Sequence, residues 1–129
     1  MLKLKCQTDF VAKTEEFNIL GNDLCLQIAF ENPLYISKND ISRKDFYHQQ
    51  DTLARATMIE MADGGIFKVD KQELLEKIVD GKLEKWYKKV CLLEQIFIKN
   101  EKIIIKNLLT DVSIKTGEKI EITEFVRLI

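Results

Sequence analysis

Met1-Leu2-Lys3-Leu4-Lys5-Cys6, running into Gln7-Thr8-Asp9-Phe10-Val11-Ala12-Lys13, is the stretch on which the fold turns. Residues 1–6 alternate between apolar and polar, the period-two pattern of a short, half-buried strand. From Thr14 onward the spacing becomes helical. Thr14 is a helix cap, and Glu15 and Glu16 suit the positive first turn that follows. Thr8-Asp9-Phe10-Val11 therefore lies at a strand-to-helix corner, where side chains can project outward instead of into a core.

Working outward, Phe17, Leu20, Leu24 and Ile28 recur at helical spacing, and Asn32-Pro33 ends that helix. Ser42 and Asp45 open a second helix that continues to about Met61. Gly64-Gly65 marks a loop, giving a hinge near residues 63–69. Asp70 and Glu73 open a third helix, which Gly81 is expected to bend or divide before Leu83, Trp86, Tyr87 and Val90. Leu92 to Ile98 reads as extended. Ile103 to Ile114 reads as an amphipathic helix closed by Gly117. Ile120, Ile122 and Phe125-Val126 form a last strand with a phase shift at Thr123-Glu124. Strand, helices, strand implies an α+β fold: a short antiparallel sheet with several helices packed on one face. Residues 1–129 read as a single domain. Two strands alone make a marginal sheet, so completion by another strand or a second copy is expected, which leaves a homodimer open.

Composition narrows the function. The 129 residues suffice for one domain, and a 46% hydrophobic share supplies its core. A net charge of −1, with basic and acidic residues interspersed, argues against a nucleic-acid partner. No apolar run approaches the ~18 residues of a membrane span. Cys6, Cys25 and Cys91 are scattered among apolar residues with neither disulfide nor zinc spacing, and read as buried thiols of a reducing compartment. Lysine outnumbers arginine 17 to 3, as in AT-rich genomes. These features fit a bacterial cytoplasm, or the stroma or matrix of a plastid or mitochondrion.

Enzyme chemistry has little to stand on. His48 is the only histidine and lies on a polar helical stretch, read as surface. No serine or cysteine has a recognisable base, Gly64-Gly65 matches no phosphate-binding loop, and metal-ligand spacing is absent. Carboxylates alternate with lysines, as at Glu84-Lys85 and Glu118-Lys119, in the manner of solvated faces. Phe46-Tyr47 and Trp86-Tyr87 read as core packing with one ring at the surface. Read in isolation, Asp9 caps open N–H groups at a helix start and Phe10 fills the core.

Ordered blocks along the chain support another reading. Cys6 to Phe17 (CQTDFVAKTEEF), Ile28-Ala29 with Asn32 to Ser37, Ile78 to Tyr87 (IVDGKLEKWY), Val90 to Lys99 (VCLLEQIFIK) and Gly117 to Ile120 with Phe125-Val126-Arg127 follow one another in register. Together they resemble the core and carboxyl-terminal part of the elongation factor Ts family. Ile96 stands where that family has proline, and Thr123-Glu124 where it often has two arginines.

The resemblance implies a dimerisation-type core domain and a guanine-nucleotide exchange factor, not an enzyme. The implied partner is the GDP-bound GTPase elongation factor Tu, with no cofactor. In the family, the aspartate and phenylalanine of TDFV intrude near the GTPase's magnesium site and loosen GDP. Carried over, Asp9 and Phe10 are the working pair, with Thr8 and Val11 positioning them. An alternative is a reduced module that binds elongation factor Tu or another chain without exchanging nucleotide. Family members usually begin with a three-helix, ubiquitin-associated-like domain, to which nothing in residues 1–129 is similar. Without that second contact a weaker grip on the GTPase is expected.

Overall fold

A computed structural model describes residues 2–63 and 71–127. The chain divides into two compact units: Met1–Lys38 with Lys88–Ile129, and Asn39–Tyr87. The fold is α+β, with short two-stranded antiparallel sheets and five α-helices among the described residues.

In the first unit, β1 (Leu2–Lys5) pairs antiparallel with β4 (Glu121–Phe125). Lys3 faces Glu124 while Leu4 faces Ile122, so Thr123 is the extra residue of a bulge. Its hydroxyl donates to the Lys3 carbonyl at 3.2 Å. This bulge is the expected phase shift, and it lets Ile122 face the core while its neighbours face water.

Between the two strands in sequence come α1 (Asp9–Ala12) and α2 (Glu15–Glu31). Thr14 caps α2, its Oγ1 accepting the Phe17 N–H at 3.3 Å. Leu20, Leu24, Gln27 and Ile28 turn inward. An ideal Cβ on Gly21 would sit 3.6 Å from Leu4 Cδ1, which shows how closely β1 lies on this helix. Asn32 ends α2 in the left-handed region (φ 47°, ψ 57°), its N–H reaching the Ile28 carbonyl at 3.1 Å. The stop is therefore a left-handed asparagine cap as well as a proline effect.

Leu92–Glu94 forms a 3-10 turn, where a uniformly extended run was expected. It leads into a hairpin of β2 (Ile96–Phe97) and β3 (Asn100–Ile104), which the sequence pattern does not reveal. Ile103 and Ile104 belong to β3, and α5 runs Ile105–Thr116, later than the helix expected from Ile103. The aliphatic run hides this boundary, because isoleucine suits both states. Gln27, fully buried, holds the hairpin. Its Nε2 donates to Gln95 Oε1 (3.2 Å) and the Ile96 carbonyl (3.0 Å), and its Oε1 accepts the Ile98 N–H (2.9 Å). Leu92, Phe97, Ile105, Leu109 and Ile120 join the α2 residues in one core.

The second unit contains α3 (Arg43–Asp63) and most of α4 (Lys71–Val90). Ser42 Oγ accepts the Asp45 N–H at 3.1 Å, the capping contact expected there. Met61, Leu75, Val79 and Leu83 form its core. Gly81 does not divide α4, which runs unbroken through it, since neighbouring helical residues carry it through. Tyr47 is exposed beside half-buried Phe46, but Trp86 and Tyr87 are both half-buried. Gly64-Gly65 and Asp70 lie outside the described residues. No described helix is long and apolar enough to cross a membrane.

Candidate partner-binding corner

At Thr8 the backbone is still extended (φ −133°, ψ 159°), and Asp9–Ala12 then makes a single helical turn. One turn does not hold itself together, because nucleation costs more than the few hydrogen bonds it closes. The corner is held from outside. Val11 enters the core at 5% exposure. The Val11 carbonyl accepts both the Thr14 N–H (3.0 Å) and the Thr14 hydroxyl (2.7 Å), tying α1 to the cap of α2. The Cys6 thiol donates to the Thr8 carbonyl at 3.2 Å.

The outward residues follow from this anchoring. Phe10 is 86% exposed, and Asp9 is exposed beside it. Phe10 thus does not fill the core, and the capping-and-core reading of this pair fails for the ring. Thr8 is the N-cap residue, yet its side chain does not cap α1. Its hydroxyl donates to Glu118 Oε2 at 2.5 Å, while the N–H groups of Gln7 (3.0 Å) and Thr8 (2.8 Å) donate to Glu118 Oε1.

Glu118 is the residue that sequence reasoning missed, having been grouped with the solvated carboxylates. Gly117, left-handed at φ 74°, closes α5 and turns the chain so that Glu118 precedes β4. The readable signal is register. Lys5 faces Glu121, and Thr8 lies as far beyond Lys5 as Glu118 lies before Glu121. One step closer to β4, the Lys119 ammonium sits 2.8 Å from Glu121. That hydrogen bond and charge raise the Lys119 pKa and lower that of Glu121, with the Lys5 charge adding to the latter.

An open groove of about 670 Å³ runs beside the corner, lined by Leu2, Leu4 and Cys6 and by Phe17, Gly21 and Cys25 of α2. The expectation of three buried thiols is corrected here: Cys91 is buried, Cys6 half-buried and Cys25 exposed. Cys25 is exposed where α2 lines that groove. His48 is exposed. Among the described residues, no three His, Cys, Asp or Glu side chains cluster so as to hold a metal ion.

Residues 18–129 match the family model described as elongation factor TS. The chain is 39% identical over 127 residues to elongation factor Ts of Carboxydothermus hydrogenoformans, an alignment spanning 98% of this chain and 55% of the relative. It is 41% identical to elongation factor Ts of Thermodesulfovibrio yellowstonii, over 98% of this chain and 59% of the relative. The protein of that name from Maridesulfovibrio salexigens is 40% identical over 134 residues, with 99% and 58% covered. The chain thus spans somewhat more than half the length of these relatives. With ordered motifs, an α+β core and matches over nearly its whole length, the chain belongs to the elongation factor Ts family.

Proposed function

We propose that this chain promotes GDP release from elongation factor Tu by wedging Phe10 and Asp9 beside the GTPase's magnesium ion and phosphate-binding loop. The observation that carries the reading is the exposed Phe10 ring on a turn locked by buried Val11. A free aromatic ring on a fixed backbone costs little entropy to dock. Burying it in a dry pocket contributes about 1.5–3 kcal/mol. Magnesium and oriented backbone amides hold a bound diphosphate, so a group that displaces either weakens nucleotide affinity. By linkage, nucleotide rebinding loosens the exchange factor by the same factor, and the cycle closes with no covalent step. The chain acts in translation elongation as a partner of a GTPase, in the bacterial cytoplasm or an organelle with its own ribosomes.

The test is stopped-flow release of fluorescent GDP from a matched elongation factor Tu. Acceleration that rises with protein concentration and saturates is expected. Unchanged release at excess protein overturns the proposal, and binding without acceleration would make the chain a non-exchanging module.

A further inference from the structure

We infer that Glu118 is the positioning residue of the exchange corner: its carboxylate extends the β1–β4 pairing past its last backbone pair and sets the angle at which Asp9 and Phe10 leave the scaffold. The inference rests on the exchange reading above.

The β1–β4 ladder ends at Lys5 facing Glu121. Beyond it, Gln7 and Thr8 present two N–H groups that no strand takes up. The Glu118 carboxylate accepts both through Oε1, at 3.0 and 2.8 Å, and the Thr8 hydroxyl through Oε2 at 2.5 Å. Three bonds to one charged acceptor are stronger and more directional than neutral ones. They hold Thr8 in both backbone and side chain, and Thr8 is the residue from which the Asp9–Ala12 turn springs.

Glu118 is itself fixed. Gly117 closes α5, the Thr116 hydroxyl lies 3.4 Å from the Glu118 carbonyl, and the Ile120 N–H donates to Ser113 Oγ at 3.1 Å. Glu118 is half-buried as a residue, and its carboxylate meets the corner through bonds that are open to solvent. Val11 anchors the far end of the turn and Glu118 the near end, so the exposed Phe10 lies between two fixed points. Positioning of this kind acts on the rate of a conformationally demanding step, since small misplacements of a working group cost large factors.

The test uses the full chain with a matched elongation factor Tu carrying fluorescent GDP. Glu118→Ala is expected to slow release at saturating protein by about tenfold, with little change in the half-saturating concentration. Glu118→Gln keeps an oxygen acceptor for the two N–H groups and is expected to stay within about threefold of the parent. Thr8→Val, which removes only the hydroxyl, gives an intermediate rate and guards against misfolding of the alanine variant. In a Phe10→Ala background, Glu118→Ala should add no further loss, because the residue acts through the ring. Full release with Glu118→Ala, a glutamine variant as slow as the alanine one, or losses that multiply with Phe10→Ala would each overturn the inference. If the parent chain does not accelerate GDP release from elongation factor Tu, the exchange reading fails by itself. Amide hydrogen exchange at Gln7 and Thr8 then decides the positioning role. Faster exchange in Glu118→Ala, restored in Glu118→Gln, supports it, and unchanged exchange refutes it.

Discussion

Phe10 and Val11 are neighbours in the chain and opposites in exposure, at 86% and 5%. The single turn of α1 separates an exposed ring from its buried anchor within one peptide bond. Substitutions at the two positions should therefore fail differently. Phe10→Ala is expected to change unfolding free energy by less than about 0.5 kcal/mol, as exposed sites do, while slowing GDP release at least tenfold. Val11→Ala should cost about 1–3 kcal/mol through a lost core contact. Urea unfolding beside stopped-flow release separates them, and a Phe10→Ala variant that mainly loses stability would return the ring to the core.

Gln27 and Gln95 make a second prediction. Both are buried, and Gln27 satisfies the Ile98 N–H and the Ile96 carbonyl at once. Gln27→Leu keeps the volume but strands those groups, so a loss of about 2–5 kcal/mol is expected. The Ile98 amide should lose protection first in hydrogen exchange. A neutral substitution would mean that water or a repacked hairpin takes over the bonds.

Two glycines should respond with opposite signs. Gly81 lies inside α4 with nothing within 4 Å of an added Cβ, so Gly81→Ala should stabilise by about 0.5–1 kcal/mol. Gly117 has equal space, but its φ of 74° penalises any side chain, and Gly117→Ala should cost about 1–2 kcal/mol. The same variant should loosen Glu118 and accelerate exchange of the Thr8 amide. Unfolding midpoints of both variants check the signs.

The Lys119–Glu121 pair predicts a small pH effect. Glu121 is held below the usual carboxylate range by the hydrogen bond and charge of Lys119, so its contribution is full above the ordinary carboxylate pKa. That contribution fades as pH falls through the lowered value. Lys119 is raised by the same bond, so its contribution is present below the ordinary lysine pKa and fades as pH rises through the raised value. Both side chains are exposed, so salt should screen the pair. In a carboxyl-carbon NMR titration, Lys119→Gln should move Glu121 back toward an ordinary carboxylate. An unmoved Glu121 would show that the pair does not persist in solution.

Legibility varied along the chain for physical reasons. Thr14, Ser42 and Gly117 were readable because caps use local chemistry, and local hydrogen bonds now occupy each of them. The bulge at Thr123 was readable because a slip in period two shows in the apolar pattern. The β2–β3 hairpin was not, since Ile103 and Ile104 pass into the helical Ile105 with no polar or glycine break. Gly81 misled because a single glycine weakens a helix without deciding its end.

By itself, the sequence determined the α+β class, the strand-to-helix corner at Thr8–Val11 and, through ordered motifs, the family. These rest on periodicity, capping and residue order, which a chain carries before it folds. Only the tertiary structure decided that Phe10 faces outward while Val11 anchors it, and that Glu118 grips the start of the turn. A residue 110 positions away from Thr8 becomes its partner only when β1 and β4 pair. Local patterns carry no such contact, because it exists only in the closed register of the sheet.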